Sequence, residues 1–521
     1  MISFKTLVSS IPDGKKREYL GGLFVNSISQ FYNDFEFNDI DLDDIVERNI
    51  DEIIYKDSFI NDLKLFSPES LSNIFNEIEC DNHQQVDKIR DVLINYFGFH
   101  LDQDDSEEIL VENETKCNYP LHDFQDRIRR KVVNLIFNGQ KRFLIHMPTG
   151  SGKTRTASEI LLDFVRLSSS KALFSEKIKI LWIAQSSELC YQAFETVKFI
   201  FEKKSTGNIK LAHFYDNMNI PLEIENDSAI IFCSIQKLLL HYNEEFWRKI
   251  RNETYLVIVD EAHRSVASKW VQALNFFVND SSVYLLGLTA TPGIGAGIDD
   301  SNYLLSLFYH GNKVSITDEN YIDLKTPIEF LVQREFLAEI DRFDIDSNVR
   351  IDDSGFSLVD NEFKFNNKTL EELTASATRN LSIINIIKEN YDIGKKILVF
   401  TCGVTHNKIL QSILFDYKMD SGRIDANTKN RRVLIDRFKN GNLNILLNYG
   451  VLTTGFDAPK TDVCIIARPI SSLVMYSQMV GRILRGPLNN GNKKNVLYTI
   501  KDNLEHGDYD NLFNSFNDFY N

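Results

Sequence analysis

Residues 143–154 read Phe143-Leu-Ile-His-Met-Pro-Thr-Gly-Ser-Gly-Lys-Thr154. An apolar run of strand length, Phe143–Met147, breaks at Pro148 into a turn with two glycines, and a helical pattern over Lys153–Leu167 follows at once. In such a strand-turn-helix the backbone N–H groups of Thr149, Gly150, Ser151 and Gly152 converge on phosphates, and the helix N-terminus adds favourable partial charge. Lys153 would then reach the β- and γ-phosphates of a nucleotide, and Thr154 would ligate Mg²⁺. The general pattern has glycine where Met147 stands. The bland alternative is a structural glycine-rich turn.

Outward from this stretch the texture is regular. Ile178–Ala184, Ala229–Cys233, Tyr255–Val259 and Tyr284–Leu288 are further apolar runs separated by helical patterns, and the same alternation returns at Lys396–Thr401, Asn444–Tyr449, Val463–Ala467 and Asn495–Ile500. Near-continuous apolar strands between helices indicate parallel sheets covered on both faces. Two α/β lobes are therefore expected, over 116–320 and 376–521. The segment between them, 321–375, is expected to carry a small hairpin over Phe343–Phe365, turning at Asp353-Ser-Gly355. Thr369-Leu-Glu-Glu372 reads as a capping box for a helix to Tyr391, with Gly394 as its stop.

Two further stretches carry chemistry. In Tyr255-Leu-Val-Ile-Val-Asp-Glu-Ala-His263 an apolar strand delivers two carboxylates at its C-terminal end, where ligands sit on open α/β sheets. Side chains alternate along a strand, so Asp260 and Glu261 divide the work: Asp260 holds Mg²⁺ and Glu261 orients the attacking water. An acidic helix cap is the bland reading. In Gln478-Met-Val-Gly-Arg-Ile-Leu-Arg485, helical spacing puts Gln478, Arg482 and Arg485 on one face. Two guanidiniums there would meet the γ-phosphate across a cleft; a solvated basic face is the alternative.

Together these stretches resemble the superfamily 2 helicases and translocases with a D-E-A-H box, over about residues 119–505. Leu121-His-Asp-Phe-Gln125 resembles the adenine-reading element, with Gln125 as the contact and His122 and Asp123 where Arg and Pro are more usual. The resemblance implies nucleic-acid contacts at Ser186, Ser187 and Gln192, at Ser234 and Lys237, and in the second lobe at Thr401, His406 and Thr453. Leu288-Thr-Ala-Thr-Pro292 looks like the element that couples hydrolysis to lobe movement, and by the same likeness Gly455 and Asp457 lie near the nucleotide. His263 and Gln478 would hydrogen-bond across the cleft. The fold so implied is α/β, two RecA-like parallel-sheet lobes preceded by a mostly α-helical N-terminal domain. Within the superfamily the chain is similar to bacterial RadD-type DNA-repair ATPases, while restriction and phage-defence translocases carry similar cores. DNA is favoured over RNA. An RNA helicase, or a scaffold subunit using ATP as a latch, is the alternative.

Composition limits what else is possible. The 521 residues are 43% apolar and 12% aromatic, which excludes a mostly disordered chain. No apolar run approaches the roughly 18 residues of a membrane span, and the start lacks a secretory pattern, so a cytoplasmic protein with no membrane partner is expected. Six cysteines at least 37 residues apart form no metal knuckle. The net charge of −16 sits entirely in residues 1–120, with 10 Lys and Arg against 26 Asp and Glu. Helical spacing in Glu18–Phe31, Asp43–Tyr55 and Gln85–Phe97 makes residues 1–115 an acidic helical domain. It is expected to dock a protein partner with a basic surface, or else to cover the strand path.

Overall fold

A computed structural model describes residues 3–35, 41–77, 86–97, 120–171, 177–204, 209–278, 282–290, 298–316, 327–426, 428, 431–451 and 460–504, apart from 217, 219–221, 353, 360 and 361. The first sheet holds β1 (Arg142–His146), β2 (Lys179–Ala184), β3 (Lys210–Phe214), β4 (Ala229–Ser234), β5 (Thr254–Asp260), β6 (Tyr284–Thr289) and β7 (Lys313–Ser315). They lie side by side as β3-β4-β2-β5-β6-β1-β7, all parallel. Alternation sends Ile180 and Trp182 into one apolar cluster and Leu181 and Ile183 into another, so helices cover both faces.

The second sheet differs from expectation at its margin. β8 (Glu339–Ile351) runs along β15 (Lys494–Leu504) as its parallel edge partner. The hairpin expected over Phe343–Phe365 is correspondingly smaller: β9 (Phe356–Val359) pairs antiparallel with β10 (Glu362–Phe365), Ser354 and Gly355 precede it in the chain, and Asp353 of the expected turn lies outside the described residues. β11 (Ile397–Thr401), β12 (Ser421–Ile424), β13 (Ile445–Asn448) and β14 (Val463–Ala467) complete the order β12-β13-β11-β14-β15-β8. The helix expected to start at Thr369 begins earlier. Asn366 is its cap, accepting the Thr369 N–H at 2.8 Å, and the segment is two helices, Asn367–Ala375 and Ala377–Asp392, parted at Ser376.

Helices fill the described N-terminal region, among them Asp13–Leu20, Gly22–Asp34, Leu42–Arg48, Asp57–Phe66 and Val86–Phe97. Their apolar residues join one core with Ile383, Ile387, Ile409 and Ile413 of the second lobe, on the sheet face opposite the helix Leu473–Val480. Polar contacts lock the same seam. Arg48 lies 3.5 Å over the Phe415 ring and 3.4 Å from Asp416, and Glu52 receives Lys408 and, at 3.2 Å, Arg423. Burial pushes the Asp416 carboxyl up to about 6, with Lys418 opposing. The described part of the bundle is thus built onto lobe 2.

The end of β15 is fastened by a buried ion pair. Arg379 Nε donates to Asp502 Oδ1 at 2.8 Å and Nη2 to Oδ2 at 3.0 Å, with both side chains fully buried. Removing one partner of such a pair leaves an uncompensated buried charge, so Asp502→Ala should cost about 3–5 kcal/mol in urea unfolding. The double variant Arg379→Met with Asp502→Leu should recover most of that. A loss under about 1 kcal/mol for Asp502→Ala would show that the pair does not fasten the strand.

Candidate functional site

β1 delivers Met147 and Pro148, and the chain turns into the helix Lys153–Lys171. Met147 is fully buried in the first-lobe core and its N–H bonds the Thr289 carbonyl at 3.0 Å. Its departure from glycine therefore falls outside the phosphate-facing part of the turn. Gly150 and Gly152 take φ of +81° and +86°, and a Cβ at Gly152 would sit 2.4 Å from Gln125 Nε2. The left-handed backbone favours glycine at both positions, and a side chain at Gly152 would also displace the Gln125 amide. The Ser151 hydroxyl donates to the Pro148 carbonyl at 2.6 Å, bracing the turn.

β5 ends at Asp260, and Glu261 follows in the left-handed region at φ +53°, ψ +51°. Strand alternation would have sent the two side chains to opposite faces. The left-handed turn instead brings both carboxylates to one cleft. Asp260 Oδ1 accepts the Glu261 N–H at 3.0 Å. Burial, then the Glu261 charge, raise the Asp260 carboxyl, and Lys153 opposes. Burial lowers the Lys153 ammonium and Arg482 lowers it further, against Glu261 and Asp260.

The cleft, about 520 Å³, is walled by both lobes: Thr149–Arg155, Asp260 and Glu261 on one side, Gly481, Arg482 and Arg485 on the other. A Cβ on Gly481 would stand 2.1 Å from Thr149 Cγ2, so the lobes meet on a glycine. The second-lobe residues were expected on one helical face. The helix in fact stops at Val480, and the chain beyond it is drawn out against the interlobe segment, with Arg485 bridging Leu337 and Ala338 N–H bonding the Leu484 carbonyl at 2.7 Å. Both arginines still line the cleft, and Arg482 Nε keeps its donation to the Gln478 carbonyl at 3.2 Å.

Across the cleft the contact runs through Glu261. His263 Nδ1 lies 3.4 Å from Glu261 Oε2 and 3.2 Å from Thr289 Oγ1; Gln478 Nε2 donates to Glu261 Oε1 at 3.5 Å. Burial, opposed by Glu261, pulls His263 down to about 4, so its imidazole is neutral at physiological pH.

The residues expected to touch nucleic acid are scattered. Ser186 lines a second interlobe cavity of about 300 Å³, together with Gln236, Arg264, Arg468 and Gln478. Gln192 lines the nucleotide-sized cleft instead. Ser187 donates to Asp216, and Lys237 is committed to the carbonyls of Asp216, at 2.9 Å, and Met218. Ser234 is buried at the end of β4. Thr401 and His406 do not face a strand: both are fully buried, Thr401 donating to Asn407 at 2.7 Å, His406 accepting the Cys402 N–H at 3.1 Å and lying 3.0 Å from Asn380 Oδ1. Thr453, Gly455 and Asp457, with Thr291 and Pro292, lie outside the described residues. Arg264 and Arg468 were missed. Their signal was position, directly after the acidic pair's strand end and at the carboxyl end of β14.

Among the described residues no helix is long and apolar enough to cross a membrane. Residues 118–294 match the family described as type III restriction enzyme, res subunit, and residues 379–487 match the helicase conserved C-terminal domain. The chain is 27% identical over 375 residues to the putative ATP-dependent helicase IRC3 of Saccharomyces cerevisiae, covering 70% of this chain and 49% of that protein. It is 22% identical over 417 residues to the type I restriction enzyme EcoKI endonuclease subunit of Escherichia coli, covering 72% of this chain and 34% of that one. The chain thus spans about half the length of IRC3 and a smaller share of the restriction subunit. The type ISP restriction-modification enzyme LlaBIII, solved bound to DNA, shares the fold with a TM-score of 0.51 at 17% identity, over 76% of this chain and 29% of that one. With two RecA-like lobes and a match to each, the chain belongs to the superfamily 2 helicases.

Proposed function

We propose that the chain is a nucleic-acid-dependent ATPase working as a DNA helicase or translocase of the D-E-A-H type. The observation that carries this reading is Gln478, which lines the second interlobe cavity while touching Glu261 in the cleft. An occupant of that cavity would bear directly on the group that orients water, and this couples strand binding to turnover. The arginines Arg264 and Arg468 suit a strand's phosphates. The type I restriction enzyme subunit among the relatives supports DNA over RNA. A role in repair, as in RadD-type ATPases, or in phage defence fits the same site, and the composition fits a cytoplasmic protein.

Each residue's task follows from its place. The turn's N–H groups and Lys153 hold the triphosphate, Gln125 abuts the turn, Glu261 orients water, and Arg482 and Arg485 stabilise charge developing on the γ-phosphate. Thr154 and Asp260 would hold Mg²⁺, and the donor set fits: a carboxyl destabilised by burial and by Glu261 gains from a divalent cation. The cation would neutralise charge on the phosphate oxygens.

Residues 1–115 are proposed to dock a basic protein partner. Their described apolar face is spent on lobe 2, on the side opposite the cleft-forming helix, which supports docking over coverage of the strand path. Neutralising the exposed Glu18, Glu69 and Asp91 should then release a co-purifying basic partner and leave turnover unchanged; a partner retained at the same salt would contradict it.

Steady-state ATP hydrolysis with single-stranded DNA, duplex DNA, RNA or none tests the main reading. Stimulation by DNA is expected, and turnover indifferent to every nucleic acid would favour the ATP-latched scaffold. In the same assay Lys153→Ala should abolish hydrolysis, and Glu261→Gln should bind ATP without turning it over. Arg482→Ala and Arg485→Ala should each lower turnover about 10³-fold, with no rescue by Arg482→Lys. Wild-type turnover in Glu261→Gln would remove the water-orienting role.

A further inference from the structure

The two arginines that line the cleft are held by different supports. Arg482 follows the end of the helix Leu473–Val480, and its Nε donates to the Gln478 carbonyl of that helix. Arg485 lies further on, where the backbone is laid against residues 335–338 of the interlobe segment. Ala338 N–H bonds the Leu484 carbonyl at 2.7 Å, Gly486 N–H the Phe336 carbonyl at 3.1 Å, and Leu488 N–H the Glu335 carbonyl at 3.1 Å. Asn489 Nδ2 brings a second bond to the Phe336 carbonyl at 2.8 Å. A Cβ at Gly486 would fall 2.4 Å from the Glu335 carbonyl oxygen, so the two chains meet backbone to backbone.

Residues 335–338 are in turn fastened to lobe 1. The Phe336 ring, 6% exposed, packs 4.5 Å from the His122 ring and 4.9 Å from Phe124, at the start of the helix Asp123–Phe137. Phe336 N–H and Leu337 N–H both return to the Leu331 carbonyl of the helix Pro327–Gln333, at 2.9 and 3.1 Å. Leu337 reaches the phosphate turn itself, since a Cβ at Gly150 would meet its Cδ2 at 3.3 Å. The nearby Arg334–Asp123 pair, 2.9 Å long, is solvent-exposed and holds little, which leaves the buried ring as the anchor. Phe336 therefore spans the join: its ring belongs to the packing of lobe 1, and its carbonyl carries two donors from the arginine segment.

We propose that Phe336 is a positioning residue for Arg485, its ring fixing the interlobe segment on lobe 1 and its carbonyl setting where the arginine stands in the cleft. Arg482 is positioned separately, by the helix of lobe 2. This rests on the proposed ATPase reading and says how one group of that site is held.

The test is a pair of double-mutant cycles on kcat at saturating ATP, with the full chain. Phe336→Ala and the milder Phe336→Leu are each combined with Arg485→Ala and with Arg482→Ala. Alone, Phe336→Ala should lower kcat about 10²-fold, as a misplacement near 1 Å can, with KM for ATP little changed. Added to Arg485→Ala it should cost under about 2-fold more, whereas added to Arg482→Ala it should cost most of its factor. Phe336→Leu keeps the packing bulk and should show the same pattern at smaller size. A general loss of folded protein would act alike in both arginine backgrounds, and equal losses there would overturn the proposal. Amide hydrogen exchange in the nucleotide-free protein reads the support without hydrolysis: in Phe336→Leu residues 484–489 should exchange faster, and 473–480 at the wild-type rate. Unchanged exchange over 484–489 would overturn the proposal whether or not the chain hydrolyses ATP. Faster exchange there in a chain that never turns over ATP would sink the ATPase reading and leave the support of the segment standing.

Discussion

The site depends on how closely lobe 2 approaches the phosphate turn, and that approach is set where Gly481 meets Thr149. One methyl group at Gly481 would fall 2.1 Å from Thr149 Cγ2, closer than carbon atoms approach. At that separation Arg482 and Arg485 share a cleft with Lys153, and Gln478 reaches Glu261. Retreat of the second lobe by a few ångströms would separate these groups, because a hydrogen bond already at 3.5 Å has no slack. Closure and completion of the site are therefore one event.

Burial and strain prepare the first lobe for that event. Asp260 and Lys153 are held in surroundings that penalise their charges, and Glu261 is held in a left-handed conformation that costs a side-chain-bearing residue about 1–3 kcal/mol. These costs are sustained by a sheet whose central strands are buried on both faces. The two electrostatic costs, at Asp260 and Lys153, would be offset by polyvalent charge of the opposite sign entering the cleft. On the far side, the acidic bundle shares a core with lobe 2, so whatever moves the bundle moves Gly481 with it.

Legibility in the sequence followed burial. All nine central strands carry continuous apolar runs, and these stand out as Trp182 and its neighbours do. The four strands that escaped, β3, β7, β8 and β12, are the four sheet edges. An edge strand covers less core, so Ser421-Gly-Arg-Ile424 or the largely exposed Glu339–Ile351 need not be apolar. The glycine turn, the acidic pair and the two arginines, which the fold brings to one cleft, were readable because phosphate chemistry would demand those residue types at those spacings. The left-handed turn at Glu261 and the extended path of Arg485 were not, since each is imposed by the neighbouring chain. Thr401 and His406 were misplaced for a related reason: polar residues beside a strand end are as well suited to a buried network as to a ligand.

Amide hydrogen exchange in the Glu261→Gln protein tests the two-lobed site most directly, comparing peptides over 147–156 and 478–486 with and without ATP and Mg²⁺. The account predicts that both become protected together at the same ATP concentration, because the nucleotide joins the lobes through the turn and the arginine segment. Protection confined to 147–156, with 478–486 exchanging as in the free protein, would contradict it.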